Sequence, residues 1–400
     1  MKRIGILTSG GDCQGLNASI RGVAKSLYEE FGNDVEIYGI KDGYKGLIFG
    51  EYKLMKPEDF SGILTLGGTI LGTSRQPFKL MRVIDENSVD KVQNMKDNYK
   101  KMKLDCLVIL GGNGTQKTAN LLREEGLNVV SLPKTIDNDL VLTDHTPGFG
   151  SAAKYVASTV REIVLDASVY QQRSVTIVEI MGRHAGWLTA ASRLARKYEG
   201  DNPCLIYLPE TPFSLEQFYN DLDAAFKKSP NLVVCVSEGI ADEGGTFVCE
   251  YSDAAKLDSF GHKMLTGCGE ILESFVHDKF GVKVRSIELN VCQRCSSEYL
   301  SATDLNESEN AGIVGVQAAL KGETGKMITF IRNGDLPYEL SYETADVNEI
   351  CNMEKAVPSD WITEDGCDVT EAFIQYARPL IQGKVVVPEE NGLPLFAYRK

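Results

Sequence analysis

Residues 106–115 read CLVILGGNGT and join an apolar run to a glycine turn. The run Cys106–Leu110 is typical of a buried strand, and the glycines of Gly111–Thr115 permit a tight turn. The pattern then predicts a helix over Thr118–Glu125 and a second strand over Val129–Leu132. Because a strand, a crossover helix and a parallel strand form a right-handed unit, this stretch predicts a parallel sheet covered by helices.

The same arrangement is predicted at the beginning of the chain and again after residue 150. Arg3–Leu7 predicts a strand that leads into a glycine turn, an amphipathic helix and the strand Val35–Ile40. Later strands rich in β-branched residues are predicted over Val175–Ile180, Cys204–Leu208 and Leu232–Val236. The fold class predicted is α/β, with two doubly wound lobes of mostly parallel sheet and a C-terminal extension.

The composition excludes several classes of protein. The chain has 400 residues, 43% of them hydrophobic, and a net charge of -14. Two lobes fit this length, and the absence of a block rich in Lys and Arg argues against a nucleic-acid partner. The ten cysteines are scattered, as in cytosolic proteins without a disulfide framework. Since no signal-peptide core or membrane span is recognisable, we expect a cytoplasmic protein with no membrane partner.

Several turns that carry glycine or charged residues follow predicted strands, where ligands bind in open parallel sheets. Glycines let the backbone approach a phosphate, and the N–H groups of a following helix can then bind the anion. Each turn alone is equally compatible with an ordinary strand-to-helix connection, but two such turns on one sheet favour a phosphate site. The segments are Thr8–Asn17, Gly111–Thr115, Pro133–Asp139, Glu179–Trp187 and Val236–Gly239.

The turn Pro133–Asp139 carries two carboxylates, Asp137 and Asp139. Asp and Asn are common in turns because their side chains bond to the local backbone. This turn also follows a buried strand of the same unit as the second glycine turn. One carboxylate could therefore accept a proton from an attacking hydroxyl while the other lies near a metal ion.

These segments, in this order, resemble the phosphofructokinase family. The resemblance implies transfer of a phosphoryl group to the 1-hydroxyl of fructose 6-phosphate, giving fructose 1,6-bisphosphate in glycolysis. It also implies Mg²⁺, ATP or pyrophosphate as the donor, and an allosteric homodimer or homotetramer. It covers roughly residues 1–320 and rests on Gly10-Gly11-Asp12 with Gly15 and Asn17, Gly111–Thr115, Thr135–Asp139, Met181-Gly182-Arg183, Ser237-Glu238 and Gln293-Arg294.

The resemblance further implies roles for single residues. Asp137 is the expected general base, and Thr135 and Arg183 are the other expected catalytic residues. Asn113 and Asp139 are the expected metal ligands. The expected donor site comprises Gly11, Arg75, Gln76, Gly112, Asn113, Gly114, Thr115 and Lys134. The expected sugar-phosphate site comprises Thr135, Ile136, Asp137, Met181, Gly182, Arg183, Glu238, Arg285 and Arg294, with the last two clamping the 6-phosphate.

The resemblance implies a division of the chain into functional lobes. Residues 1–150 together with about 293–345 form the expected phosphoryl-donor lobe. Residues 151–292 form the expected sugar-phosphate lobe, and residues 346–400 form the C-terminal extension.

Three positions depart from the family pattern. Asn113 stands where the family usually has a metal-binding Asp, and an amide should bind Mg²⁺ more weakly than a carboxylate. Ser174 stands in place of an Arg, with Arg173 one position earlier, and Val291 stands in place of a His. The base is intact, but metal affinity and sugar-phosphate affinity are expected to differ from those of the family.

Two residues give opposite indications of the donor. Gly114 leaves room for a nucleotide where family members that use pyrophosphate tend to have Asp. Lys134 stands where those that use ATP commonly have Gly, and its ammonium can pair with an inorganic phosphate. Because steric exclusion is harder to escape than an added charge is to tolerate, we favour ATP. Pyrophosphate, or the use of both donors, is the alternative.

Two other classes of function remain open at this point. A non-catalytic sugar-phosphate sensor is suggested by Asn113, Ser174 and Val291, although the intact Asp137 and Asp139 argue against it. A dinucleotide-dependent oxidoreductase would fit the alternating pattern, but no GxGxxG follows the first strand. Another sugar phosphate, such as sedoheptulose 7-phosphate, is a further possible acceptor.

Overall fold

The computed structural model describes residues 1–84, 88–251, 267–351 and 353–395. Every strand and helix given below lies within these ranges. The strands are β1 (Lys2–Ser9), β2 (Val35–Ile40), β3 (Tyr52–Met55), β4 (Cys106–Gly111), β5 (Val129–Pro133), β6 (Ser174–Ile180), β7 (Leu205–Tyr207), β8 (Asn231–Ser237), β9 (Lys283–Glu288), β10 (Lys326–Asp335), β11 (Tyr338–Asp346), β12 (Glu389–Glu390) and β13 (Leu393–Pro394).

The helices separate most of these strands. The α-helices are α1 (Leu16–Phe31), α2 (Tyr44–Phe49), α3 (Lys91–Met102), α4 (Asn113–Glu124), α5 (Phe149–Ser168), α6 (Trp187–Ala191), α7 (Leu215–Phe226), α8 (Cys268–Phe280), α9 (Cys292–Cys295), α10 (Ala302–Leu320), α11 (Val347–Ile350) and α12 (Glu371–Ala377). Short 3₁₀ segments cover Pro57–Phe60, Phe78–Leu80, Ser192–Ala195, Val248–Glu250, Ser359–Trp361 and Pro379–Ile381. None of the described helices has the length and apolar character that a membrane span requires.

The chain divides into two compact units. Unit 1 comprises Met1–Ser151, Arg294–Glu354 and Leu380–Lys400, and unit 2 comprises Ala152–Gln293 and Lys355–Pro379. The residues after 346 therefore contribute to both units. The assignment of functional lobes to the chain stays a prediction.

The sheet of unit 1 has the strand order β11–β10–β5–β4–β1–β2–β3. Its five central strands are parallel, and the outermost strands β3 and β11 pair antiparallel with their neighbours. Every residue of β4 is buried, as its apolar sequence predicts for a central strand of a parallel sheet.

Helices α1 and α10 pack against each other within unit 1. A Cβ atom added to Gly22 would overlap the backbone of Glu309, and one added to Gly312 would overlap that of Ser19. The close approach of the two helices therefore requires glycine at both positions.

The sheet of unit 2 has the strand order β7–β8–β6–β9, and all of its pairs are parallel. Its core includes Val175 and Val234 from the strands, together with Phe218 and Leu272 from the helices α7 and α8. The predicted fold class, an α/β protein with mostly parallel sheets, is confirmed.

One boundary differs from the prediction in a way that bears on the site. The helix expected over Thr118–Glu125 begins at Asn113, immediately after Gly112. Both Thr115 and Gln116 already donate backbone hydrogen bonds to the Gly112 carbonyl. The second glycine turn is therefore itself the N-terminus of a helix, where free N–H groups favour an anion.

Candidate active site

Three of the predicted turns lie at one edge of the unit 1 sheet. The strands β1, β4 and β5 are adjacent, with Ser9 opposite Gly111 and Gly111 opposite Pro133. Their carboxyl ends are therefore level, and the turn that follows each strand lies at the same edge. In an open parallel sheet this edge is where ligands bind.

Lys134 connects two of these turns. Its ammonium group donates a hydrogen bond to the carbonyl of Gly11, although the residue is only 5% exposed. A Cβ atom on Gly10 would lie 3.4 Å from the Lys134 Nζ, so glycine admits the ammonium at this point. Burial lowers the pKa of Lys134, while the charges of Asp12 and Asp137 act in the opposite direction.

A second cation lies beside the same glycine. The Cζ of Arg294 is 3.9 Å from the position that a Cβ on Gly11 would occupy. The charge of Arg294 lowers the pKa of Lys134, although burial and the nearby acidic groups have larger effects on it. The structure thus brings Arg294, predicted as part of the sugar-phosphate clamp, next to the predicted donor residue Gly11.

The second glycine turn is held by side chains on both sides. The Thr115 hydroxyl donates to the Ser9 carbonyl over 3.3 Å, and the Gln116 amide donates to the Gly111 carbonyl over 2.9 Å. The Tyr44 hydroxyl donates to the Thr115 carbonyl over 2.8 Å. Gly114 is exposed, and a Cβ atom there would have no heavy atom within 4 Å.

The turn after β5 orients the two carboxylates through Thr135. The backbone N–H of Asp137 donates to the Thr135 hydroxyl oxygen over 3.1 Å, and that side chain also hydrogen-bonds to Asp139. The Thr146 hydroxyl fixes the Thr135 carbonyl over 2.6 Å. Asn138 adopts a φ of 54°, a left-handed conformation that Asn tolerates better than most residues. The neighbouring Ile136 is buried.

The polar atoms of this turn fit a metal ion. Oδ1 of Asp139 is buried and has no hydrogen-bond partner. Asn113, the other predicted ligand, donates its side-chain N–H to the Met353 carbonyl over 2.8 Å. Among the described residues there is no group of three or more His, Cys, Asp or Glu side chains suited to a metal. Mg²⁺ that is shared with phosphates needs only one or two protein carboxylates, so Asp139 is a suitable ligand.

Arg75 and Gln76 follow a loop that is tied to the first glycine turn. The Thr73 hydroxyl donates to the Gly10 carbonyl over 2.6 Å, and the Ser74 hydroxyl donates to the Asp42 carbonyl over 2.6 Å. The Arg75 side chain is exposed beyond these anchors. The loop that carries Arg75 and Gln76 is therefore anchored to Gly10.

In unit 2 the predicted sugar residues also meet at the carboxyl edge of the sheet. Ile180 at the end of β6 lies opposite Ser237 at the end of β8. The Ser237 hydroxyl donates to the Gly182 carbonyl over 2.5 Å, and the Gly182 N–H donates to Glu238 Oε1 over 3.3 Å. Gly182 has a φ of 141°, which favours glycine. Met181, Gly182 and Arg183 are thus fixed beside Glu238.

Arg285 lies elsewhere in its own unit. It occupies the middle of β9, opposite Thr176, and its guanidinium is 3.3 Å from the Asp166 carboxylate on α5. About two fifths of its side chain is exposed. The structure therefore does not bring Arg285 to the edge that carries Met181, and its predicted role stays a prediction.

Ser174 and Val291 stand where the family pattern has Arg and His, and the structure shows what surrounds each of them. Ser174 donates to Asn231 Oδ1 over 2.9 Å, and Arg173 places its guanidinium 4.1 Å from the ring centre of Phe226. Val291 is exposed. Arg173 is thus already engaged in a cation–π contact and is not placed as a substitute for the missing Arg.

Two acidic residues at these edges were not predicted as site residues. Asp12 lies in the first glycine turn, where its Oδ1 is buried without a hydrogen-bond partner. Glu179, at the end of β6, accepts hydrogen bonds from Gly267 over 3.2 Å and Gly269 over 2.8 Å, at the start of α8. Burial raises the pKa of Glu179 to about 7. The available signal was a carboxylate inside a buried strand, two residues before Met181.

Comparison with known proteins accounts for this combination of turns. The family model for phosphofructokinase matches residues 3–318. The chain belongs to the phosphofructokinase family. It is 37% identical over 363 residues to an ATP-dependent 6-phosphofructokinase of Spirochaeta thermophila, covering 90% of this chain and 93% of that protein. It is 33% identical over 398 residues to a pyrophosphate–fructose 6-phosphate 1-phosphotransferase of Halomonas elongata, covering 97% and 94%.

Solved structures of the family have the same fold over nearly the whole chain. A pyrophosphate-dependent phosphofructokinase from Marinobacter aquaeolei superimposes with a TM-score of 0.86 at 28% identity, covering 99% of this chain and 95% of that one. One from Nitrosospira multiformis superimposes with a TM-score of 0.87 at 27% identity, covering 100% and 96%. The chain is therefore a phosphofructokinase-family enzyme that transfers phosphate. Relatives with either donor are similar to it, so family membership alone leaves the donor open.

Proposed function

We propose that this protein is a 6-phosphofructokinase that transfers a phosphoryl group from ATP to the 1-hydroxyl of fructose 6-phosphate. The observation that carries the proposal is the single edge of the unit 1 sheet, where two glycine turns, a buried ammonium and the Asp137 turn meet. Phosphoryl transfer needs positioned donors, cations and a base rather than a covalent intermediate, and this edge supplies each of them.

In this proposal Asp137 is the general base that accepts the proton of the sugar hydroxyl. Thr135 positions it through the hydrogen bond from the Asp137 backbone N–H. Lys134, whose ammonium donates to the Gly11 carbonyl, compensates part of the negative charge of the donor phosphates. A positioned base contributes on the order of 10²–10⁴-fold to such a reaction.

Asp139 and Asn113 are the proposed Mg²⁺ ligands, supported by the unpartnered buried oxygen of Asp139. When bound, the ion would neutralise part of the charge of the donor phosphates. The chain's own contribution is to hold the Asp139 carboxylate in place through the Thr135 side chain.

The sugar phosphate is assigned to Met181, Gly182, Arg183 and Glu238, whose backbone and side chains are linked in unit 2. Arg183 would contact the substrate through its guanidinium, and Arg294 and Arg285 would bind the 6-phosphate. Unit 1 is then the donor lobe and unit 2 the sugar-phosphate lobe. Because the Arg285 side chain is partly exposed, it could bind the 6-phosphate of a sugar held by a neighbouring subunit. We therefore propose a homodimer or homotetramer.

Gly114 is the reason to propose ATP. A Cβ atom at this position would meet no heavy atom within 4 Å, so the space beside the second glycine turn is open in unit 1. A nucleotide needs such space beyond the phosphates, whereas pyrophosphate does not.

Pyrophosphate is the second candidate, and Lys134 favours it. The buried ammonium at Gly11 can pair with a compact inorganic phosphate as a point charge. The similar proteins from Halomonas elongata and Marinobacter aquaeolei are named for pyrophosphate.

A direct comparison of donors tests the proposal. Formation of fructose 1,6-bisphosphate from fructose 6-phosphate and Mg²⁺ should be measured with ATP and with pyrophosphate on one preparation. A larger kcat/KM with ATP is the expected result. A larger kcat/KM with pyrophosphate would establish the second candidate, and no product with either donor would contradict the proposed reaction.

A further inference from the structure

His145 is buried between two carboxylates in unit 1. Its Nδ1 lies 2.8 Å from Asp144 Oδ2, and its Nε2 lies 2.7 Å from Glu307 Oε2 on α10. The residue is only 1% exposed, so both contacts are shielded from water. A neutral imidazole has a single N–H and would face one carboxylate with a lone pair, whereas an imidazolium donates to both. The geometry therefore favours a charged ring between two negative groups.

The two carboxylates are themselves fixed by side chains of the neighbouring strands. The Arg332 guanidinium, on β10, donates to Asp144 Oδ2 over 2.9 Å. On β11, the Tyr338 hydroxyl donates to Glu307 Oε1 over 2.7 Å, and the Tyr342 hydroxyl donates to the Glu307 carbonyl over 3.3 Å. Burial raises the pKa of both tyrosines, so their hydroxyls stay protonated where a histidine titrates.

The segment that carries His145 reaches the turn of the proposed base. The next residue, Thr146, donates its hydroxyl to the Thr135 carbonyl over 2.6 Å. The Thr135 side chain accepts the backbone N–H of Asp137 over 3.1 Å and also hydrogen-bonds to Asp139. A short series of contacts thus leads from the buried ring to both carboxylates of the turn.

We propose that His145, held as an imidazolium by its two carboxylates, is a positioning residue for the turn that carries Asp137. The ring does not touch the reacting atoms. It keeps the following Thr146 where its hydroxyl fixes the Thr135 carbonyl. A neutral ring would leave one buried carboxylate facing a lone pair, and a shift of the segment would relieve that cost. The inference rests on the proposed function, since it concerns the same turn.

The charge of His145 gives the reaction an alkaline limit. Burial lowers the pKa of His145, but the hydrogen bonds to Asp144 and Glu307 raise it more, so it lies above the ordinary value of 6.5. The imidazolium is present below this raised pKa and is lost as the pH rises through it, so kcat should fall in the same interval. Burial raises the pKa of Asp304, also on α10, to about 6, and this carboxyl is retained in every variant below.

Titration of the ring and turnover on one preparation test the inference. The full chain has four histidines, so ¹⁵N-histidine labelling gives few ring signals, and the His145→Gln variant assigns the one that matters. We expect this ring to titrate above pH 6.5, at the midpoint of the alkaline fall of kcat measured with the better of ATP and pyrophosphate. A ring that is neutral throughout, or midpoints that differ by more than about one pH unit, would overturn the proposal.

The His145→Gln variant keeps a hydrogen-bonding side chain without the charge. Below the titration of the ring, kcat should fall roughly 10–100-fold while the KM for fructose 6-phosphate stays within about threefold. The alkaline fall of kcat should disappear, and an alkaline fall of unchanged size would refute the inference. His277→Gln, which replaces an exposed histidine on α8, is the matched control and should leave the pH profile unchanged.

A second pair of variants tests the contact between the two segments without altering the ring. Thr146→Val removes the hydroxyl that binds the Thr135 carbonyl, and Thr146→Ser keeps a hydroxyl. We expect the valine variant to lose as much kcat as His145→Gln, and the serine variant to stay within about threefold of the unmodified protein. The combined His145→Gln and Thr146→Val variant should lose no more than either alone. A valine variant with full activity would overturn the proposal even if His145→Gln does not fold.

Hydrogen exchange separates the inference from the proposed function. Exchange of residues 135–139, measured by mass spectrometry without substrate, should be faster in His145→Gln and Thr146→Val and unchanged in His277→Gln. Faster exchange in a protein that does not turn over fructose 6-phosphate would support the positioning role and refute the proposed reaction. Turnover with unchanged exchange and an unchanged pH profile in both variants would refute the positioning role and leave the reaction standing.

Discussion

The carboxyl edges of the two sheets are organised differently. In unit 1 the turns after β1, β4 and β5 are linked to one another, for example by the bond from Lys134 to the Gly11 carbonyl. In unit 2 the segments after β6 and β8 are linked through Gly182 and Glu238, and Glu179 of β6 is linked to the start of α8. Arg285, in the middle of β9, is not part of that edge. The order of the strands in the sheet brings the residues directly after each strand to one edge. The side chain of a residue within a strand, such as Arg285, instead contacts whatever element covers that strand.

The largest effect is expected from the base turn of unit 1. Asp137→Asn keeps the size of the side chain and removes the proton acceptor, so kcat should fall by roughly 10²–10⁴-fold. The KM for fructose 6-phosphate should change little. Steady-state kinetics checks both values. The control is Asp97→Asn on the exposed face of α3, and equal turnover of the two variants would show that Asp137 is not the base.

Glu179 gives unit 2 a pH dependence of its own. Burial raises its pKa from 4.5 to about 7, so in this interval the folded state retains a proton that the unfolded state has released. The free energy of unfolding should therefore fall as the pH rises from about 4.5 to about 7, by about 3 kcal/mol in total. Denaturant unfolding at several pH values measures it.

The variant Glu179→Gln should flatten this part of the pH profile. Burial also raises the pKa of Asp304, in unit 1, to about 6, and this contributes in the same direction. Only the difference between the profiles of the protein and its Glu179→Gln variant belongs to unit 2. Parallel profiles would show that Glu179 titrates normally in the folded state.

Substitutions at Gly114 and Lys134 can separate the two indications of the phosphoryl donor. Gly114→Asp fills the open space beside α4, and kcat/KM for ATP should fall roughly 10–100-fold, with a smaller loss for pyrophosphate. Lys134→Met removes a buried charged donor, worth about 1.5–3 kcal/mol, and should act mainly on pyrophosphate. Kinetics with both donors measures the ratio. The same ratio in both variants would mean that neither residue selects the donor.

The smallest effects concern Arg285 and its partner. An exposed ion pair contributes about 1 kcal/mol at most, so Asp166→Ala should hardly change the stability and should leave the KM for fructose 6-phosphate unchanged or lower. Arg285→Ala should raise that KM by roughly tenfold if the residue binds the 6-phosphate. Unchanged KM values in both variants would show that Arg285 is a surface charge outside the sugar-phosphate site.

Much of the fold and part of the site follow from the sequence. The apolar run Cys106–Leu110 and its glycine turn predicted a central parallel strand, and β4 is one. The turns that follow such strands were placed correctly because register brings their ends level. The contact of Asn113 with Met353 was not predictable, since the 240 intervening residues carry no pattern that brings the two together. The engagement of Arg285 by Asp166 was missed for a related reason, because the sequence does not show which helix covers β9.

Phosphoryl transfer from ATP to carbon 1 of the sugar can be observed directly by product analysis. The protein would be incubated with fructose 6-phosphate, Mg²⁺ and ATP, and the products followed by ³¹P nuclear magnetic resonance. We expect a second phosphomonoester on carbon 1 of the sugar, formed in step with ADP and absent with Asp137→Asn. Consumption of ATP without a phosphorylated sugar, or a bisphosphate formed equally well by Asp137→Asn, would contradict it.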